Sequence, residues 1–309
     1  MAARAQQPAT PVVGFLNAGS PDASSRNVAG FRKGLNETGT VEGQNVTIEY
    51  HWLEGRTDRV PALVADLVRR HVAVVATLSS AATLAAKAAT ATIPIVFAIG
   101  EDPVQLGLVA SLGRPGGNVT GINFFNNELV AKRLALLHEL VPKAVRVAVL
   151  LNPANGPSAE STLREVQEAA PTLGLQIQTL NATTIGDIDA AFATLTRERP
   201  DALFVAADGF FASRRVQFAA LTAGDRLPAA YGNREFVAAG GLMSYGTDAA
   251  DRYRQVGVYI GRILKGEKPT DLPVVQPTKF ELVINLQTAR ALGIEVPSAL
   301  LSIADEVVE

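Results

Sequence analysis

The sequence predicts an α/β chain of two doubly wound parallel-sheet lobes joined by three crossings, on three observations. Short β-branched runs alternate with longer amphipathic runs from Val12 onward, the pattern of βαβ crossovers feeding a parallel sheet. The plan starts again at Val147 with the same punctuation. The chain has 309 residues, 48% hydrophobic and 19% charged, too many for one small domain and enough for two, each with its own core.

The elements follow in order. Val12-Val13-Gly14-Phe15-Leu16 is a buried-strand run closed by Asn17-Ala18-Gly19-Ser20-Pro21, and a helix pattern runs from there to Thr38. Val46–Tyr50 is the next strand. Val60, Leu63, Val64, Leu67 and Val68 then recur at helical spacing as one apolar stripe. Val72–Ala76 reads as a strand, Ala81–Thr90 as an Ala-rich helix and Ile93–Phe97 as a strand. In the second half Val147–Asn152 repeats the form of Val12–Asn17, each run ending in Asn. Ala202–Ala206 matches Val72–Ala76, and Leu227-Pro228-Ala229 matches Ile93-Pro94-Ile95 with a proline in each. Three matches in the same order argue for two similar lobes, and no short-period repeat is visible.

The joins are glycine turns leading through short strands, at Gly116–Asn123 and Gly240–Gly246, with a third extended segment at Pro277–Asn285. Between the last two, Tyr253, Val256, Gly257, Ile260, Ile263 and Leu264 form a helix stripe. The expected lobes are residues 1–122 with 247–276 and residues 123–246 with 277–309, hinged at the joins with a ligand cleft between them.

Composition narrows the chemistry. The formal net charge of −2 and the absence of a basic block exclude a nucleic-acid backbone as partner. With no cysteine there is no thiolate catalysis, disulfide or Cys-type metal site. The three histidines, His51, His71 and His138, are scattered, and Gly113–Asn118 lacks the ending of a phosphate loop. No catalytic residue, metal or cofactor is expected. No apolar run is long enough to span a bilayer, so no direct membrane insertion is expected either. The segment MAARAQQPAT at the start reads as the small-residue end of an export signal followed by a mature chain.

Several stretches also carry a resemblance. VEGQNVTIEY (41–50), TIPIVFAIGEDPVQLGLVASLGRPGGNVTGI (92–122), AVLLNPAN (148–155), REFVAAGGLMSYGTD (234–248) and LPVVQPTKFELVINLQTARALG (272–293) are similar to the periplasmic solute-binding proteins of ABC importers, whose characterised members take tryptophan or related aromatic amino acids. The resemblance covers nearly the whole chain. It implies the type I periplasmic-binding fold, export to the periplasm, an amino acid or aromatic carboxylate as ligand, and a membrane permease with its ATPase as partners of a monomeric receptor. A sensory module for a chemoreceptor or kinase, and an α/β enzyme working in the cleft, are the rival readings.

In open parallel sheets ligands lie beyond the carboxyl ends of the strands, which selects the candidate residues. Asn17 and Ser20 follow the first strand, and Asn152, Asn155 and Ser158 follow its counterpart. Ser79 and Ser80, at the start of a helix, are the expected carboxylate site. Asp102 and Asp208 each follow a strand and could hold an amine; Phe210 stands beside the second. Phe125, Tyr231 and Tyr245 lie at crossings or strand ends, where a ring could stack on a ligand. Each has a plainer reading beside it: Ser, Asn and Asp as helix caps, aromatic side chains as core. Arg234-Glu235 as a lobe-closing pair is not favoured, since exposed pairs contribute little.

Overall fold

The computed structural model describes residues 10–124, 126–277 and 279–309. The elements are β1 (Val12–Asn17), α1 (Ser25–Glu37), β2 (Thr47–Trp52), α2 (Val60–Arg69), β3 (Val74–Thr77), α3 (Ser80–Ala89), β4 (Ile95–Ile99) and β5 (Val119–Asn123). Then come α4 (Asn126–Leu140), β6 (Arg146–Leu151), α5 (Gly156–Ala169), β7 (Gln176–Asn181), α6 (Ile185–Glu198), β8 (Ala202–Val205), α7 (Gly209–Ser213), α8 (Arg215–Gly224), β9 (Ala229–Tyr231), α9 (Arg234–Ala238) and β10 (Met243–Thr247). The chain closes with α10 (Ala249–Leu264), β11 (Phe280–Asn285), α11 (Leu286–Leu292), α12 (Ser298–Ile303) and β12 (Glu306–Val308).

Two sheets result. One has the order β2-β1-β3-β4-β5, the other β12-β11-β10-β9-β8-β6-β7. Five strands of the second, β7-β6-β8-β9-β10, reproduce the order of the first, and all five are parallel, as in the first sheet. The expected pairings of β1 with β6, β3 with β8 and β4 with β9 are thus topological equivalents. The second sheet is not wholly parallel: β11 runs antiparallel to β10, and β12 then adds to β11.

Strand starts move where the backbone has other work. Val72 N–H still bonds the Leu67 carbonyl in the turn that ends α2, so β3 begins at Val74 instead of Val72. Pro94 has no N–H to donate, so β4 begins at Ile95. Edge strand β7, with burial alternating weakly along Gln176–Asn181, lacks the apolar run that marks buried strands.

Each sheet is sandwiched between two apolar layers. Phe15, Phe31, Ile48, Val96 and Ile260 fill one face of the first sheet, and Leu67, Val75, Ile95 and Phe97 the other. Val149, Phe204 and Ile284 belong to one layer of the second sheet, and Leu150, Phe192, Phe211 and Phe218 to the other. The chain passes between sheets after β5, after β10, and between Val275 and β11. Val275 is hydrogen-bonded alongside β5, taking Asn123 N–H at 2.9 Å. After the second passage α10 packs back onto α1 almost backbone to backbone. A Cβ on Gly34 would come within 1.8 Å of the Arg254 carbonyl oxygen, so only glycine allows that approach.

Candidate functional site

Where the carboxyl ends of the two sheets face each other lies a cavity of ≈ 130 Å³. From the first sheet's lobe come Asn17, Ala18 and Gly19 after β1, Leu78, Ser79 and Ser80 after β3, Ile99 and Glu101 at the end of β4, Phe124 after β5, and Arg252 and Tyr253 of α10. From the other come Asn155 and Ser158 at the start of α5, Ala207, Asp208 and Gly209 after β8, and Asn233 after β9. These are the strand ends where a doubly wound sheet changes winding direction, which leaves a crevice by construction.

Asp208 is the N-cap of α7. Its Oδ1 accepts from the amides of Phe210 (2.9 Å) and Phe211 (3.1 Å) and from Asn152 Nδ2 (3.0 Å), and its Oδ2 accepts from Asn155 Nδ2 at 3.4 Å. Burial raises its pKa, and these four bonds only partly offset that rise. Glu101, 6% exposed, accepts from the Ser80 hydroxyl. Asn17 accepts from Gly19 N–H and donates to the Tyr253 hydroxyl at 2.6 Å, tying the β1 loop to α10.

Arg252 is the cation of the cavity wall among the described residues. Its guanidinium lies 4.0 Å from the centroid of the Phe124 ring, and its Nε is sealed from solvent without a hydrogen-bond partner. No carboxylate among the described residues lies within ion-pair distance; Glu235 and Asp248 act on it through space, and burial lowers its pKa. Two further lining groups have orphaned acceptors, Asn27 Oδ1 and Asn155 Oδ1. Buried polar atoms without partners are costly, and three of them converge on one cavity.

The sequence-derived candidates divide accordingly. Asn17, Ser79, Ser80, Asn155, Ser158 and Asp208 line the cavity. Asn152 stands one layer back and holds Asp208. Of the two serines expected as the carboxylate site, Ser79 caps α3 by accepting from Ala82 N–H, which leaves its own O–H to donate, whereas the Ser80 hydroxyl donates to Glu101. Ser20 is outside the cavity, its carbonyl closing the turn to Ser24. Asp102 also lies outside, because its carboxylate accepts from the amides of Val104 and Gln105 in the following turn; Glu101, the residue before it, faces inward instead. Phe210 is 3% exposed, packed in its lobe's core cluster, under Arg214 and against Gly55 of the other lobe. Tyr231 is a core residue, stacked on Phe236 at 4.4 Å with its hydroxyl on Thr222. Tyr245 packs beside Phe280 on the β10–β11 pair, outside the cavity. Phe125 and the opening segment MAARAQQPA lie outside the described residues.

Sequence reasoning overlooked Arg252. One signal existed: Arg252 stands four residues before Val256, in register with the buried stripe of α10, where a charge is out of place. The Arg234-Glu235 pair is not a clasp between lobes. Arg234 binds Glu281 and Glu306 within its own lobe, while Glu235 comes within 3.7 Å of Arg26 on α1 across the cleft.

A family model described as ABC transporter substrate binding protein matches residues 13–308. The chain belongs to that family. A tyrosine-binding protein of Clostridioides difficile (strain R20291) is 26% identical over 270 residues, 87% of this chain and 77% of the relative. Among solved structures, an ABC domain in complex with L-Trp from Streptococcus pneumonia is 27% identical with a TM-score of 0.86, covering 97% of this chain and 100% of the other. A conserved domain protein from Vibrio cholerae is also 27% identical, with a TM-score of 0.87 over 96% of this chain and 99% of the other. A ligand-free, open substrate-binding protein with adhesive properties from Clostridium difficile is 25% identical, covering 97% of this chain and 99% of the other, yet its TM-score is 0.64. This substrate-binding protein has no helix among the described residues long and apolar enough to cross a membrane. Nor do those residues hold a group of three or more His, Asp or Glu that could bind a metal.

Proposed function

We propose that this substrate-binding protein is the exported, periplasmic receptor of an ABC importer, and that its ligand is a free α-amino acid with an aromatic side chain. The observation that carries the reading is the unpartnered Arg252 guanidinium in a cavity whose opposite lobe presents the half-buried Asp208 carboxylate. A zwitterion satisfies both. Its carboxylate pairs with Arg252, and its ammonium reaches Asp208 and the orphaned Asn155 Oδ1, as charge-assisted hydrogen bonds of the strong kind. Phe124 and Leu78 supply an apolar wall for the side chain. The relatives that bind tyrosine and L-Trp support this ligand class.

Arg252 and Asp208 stand on different lobes, so only the closed form offers both, and a ligand that touches both stabilises closure. The units that move are residues 1–122 with 247–276 and residues 123–246 with 277–309. The higher TM-score to the L-Trp complex than to the open structure, at similar identity, supports a closed arrangement here. The closed, loaded receptor then docks on a membrane permease driven by its ATPase.

Thermal-shift screening against the L-amino acids, with matched aromatic carboxylates lacking the amine, tests the reading. A saturating ligand at about 100 times its Kd adds about 2.7 kcal/mol to the folded state, which raises the melting midpoint measurably. If only amine-free carboxylates stabilise the protein, the ammonium site is wrong. If no amino acid does, the ligand class is wrong.

A further inference from the structure

The amino-acid reading uses one cation and one anion, but the cavity contains a second carboxylate, that of the buried Glu101. Glu101 belongs to the lobe of Arg252 but makes no ion pair or hydrogen bond with it. Glu101 therefore forms a separate pole. It sits at the end of β4, tied down at both levels: its carbonyl accepts from Asn123 Nδ2, and its Oε2 accepts from the Ser80 hydroxyl. Its other carboxylate oxygen accepts nothing from the described residues. Leu78 and Phe124 are apolar residues that share the cavity wall with it; the Phe124 amide bonds the Ile99 carbonyl at 3.0 Å. Glu101 is thus an acceptor lining the same cavity as the apolar side chains of Leu78 and Phe124.

We infer that Glu101, oriented by Ser80, is a specificity-determining residue that accepts a hydrogen bond from an O–H or N–H on the ligand's ring. The inference rests on the amino-acid reading and sharpens it from aromatic side chains in general to those bearing a donor, a phenol or an indole. A phenyl ring offers no donor, so binding it would bury the free oxygen of Glu101 without a partner. An unmatched buried acceptor is what makes such sites discriminate strongly against the analogue lacking the group.

Isothermal titration with L-Tyr, L-Trp and L-Phe tests this on the wild-type protein and on Glu101→Gln and Ser80→Ala. In Glu101→Gln the Ser80 hydroxyl still finds the amide oxygen, which turns the NH2 group toward the ligand's own donor. The better of L-Tyr and L-Trp is expected to bind the wild type at least about tenfold tighter than L-Phe. That ratio should narrow to within about threefold in Glu101→Gln, because the donor-bearing ligand loses more than L-Phe does. Ser80→Ala should narrow it partway, and serves alone if Glu101→Gln does not fold. Equal wild-type binding of L-Phe overturns the inference and leaves the amino-acid reading standing. So does a uniform loss for all three ligands in the variants, or a preference for L-Lys, whose side-chain amine would make Glu101 a charge partner. If none of the three aromatic amino acids binds, the earlier reading falls and takes this one with it.

Discussion

Replacing Arg252 with methionine separates a ligand anchor from a structural arginine, because the two roles predict opposite signs. In the structure the guanidinium makes no hydrogen bond or ion pair with the described residues; its defined contact is the Phe124 ring at 4.0 Å. Losing that cation–π contact costs about 1 kcal/mol. Removing a buried Nε–H that has no partner returns about 1–3 kcal/mol, and methionine keeps most of the aliphatic packing. The unliganded stability of Arg252→Met should therefore be unchanged or raised by up to about 2 kcal/mol. Ligand binding should move the other way. Truncating one side of a desolvated, hydrogen-bonded charge pair costs about 2–5 kcal/mol, so the Kd for the amino acid should rise at least about thirtyfold. Differential scanning fluorimetry of the unliganded variant and isothermal titration with its ligand give the two readings. An affinity within about threefold of wild type would refute the carboxylate assignment. A melting point lowered by roughly 5 °C or more would show that Arg252 holds the fold instead.

Three other outcomes follow from the geometry. Gly209 and Gly19 meet across the cleft, where a Cβ on Gly209 would lie 2.8 Å from Ala18 Cβ. Gly209→Val should keep the unliganded melting point, lower affinity at least about tenfold, and leave the liganded protein at its open radius of gyration in small-angle scattering. Burial raises the Asp208 pKa, and an ammonium partner favours the ionised form, so binding expels the proton. Affinity is full above the free-state pKa and is lost as pH falls through it, whereas the free protein gains stability from this group over that same fall. Titrations across acidic pH should show this for wild type and a flattened profile for Asp208→Asn. Finally, Gly34→Ala forces a methyl group to within 1.8 Å of the Arg254 carbonyl oxygen. Overpacking of backbone on backbone should cost about 3 kcal/mol, a melting point lower by roughly 6–12 °C on a chain of this size. A drop under about 2 °C would show that α1 and α10 separate easily.

The lobes were legible because local signals and long-range order agree in doubly wound folds. Val12–Asn17 and Val147–Asn152 are recognisable as equivalents from their apolar runs and terminal Asn residues, and the sheet order then follows from right-handed crossovers. β7 escaped because an edge strand needs no continuous apolar run, and the short closing strand β12 (Glu306–Val308) carries almost none. Within the site, residues anchored by the strand-end rule came through: Asn17, Ser79, Ser80, Asn155, Ser158 and Asp208 reach the cavity. Among the aromatic candidates, Tyr231 and Phe210 went to the core, because a residue's side of a sheet or helix is decided by packing that its neighbours in sequence do not display.

The amino-acid order by itself determined two α/β lobes, their repeated winding and the loops that meet between them. It did so because hydrophobic period and glycine or proline punctuation act over short stretches of chain. Only the tertiary structure decided which charges face the cleft. Arg252 comes from a helix that follows the second passage and returns to the first lobe. Glu101 and Asp102 are adjacent, and one turns inward while the other caps a turn. Bringing charges to one cavity depends on distances of a few ångströms between segments more than a hundred residues apart, as with Glu101 and Asp208, and no local pattern records those distances.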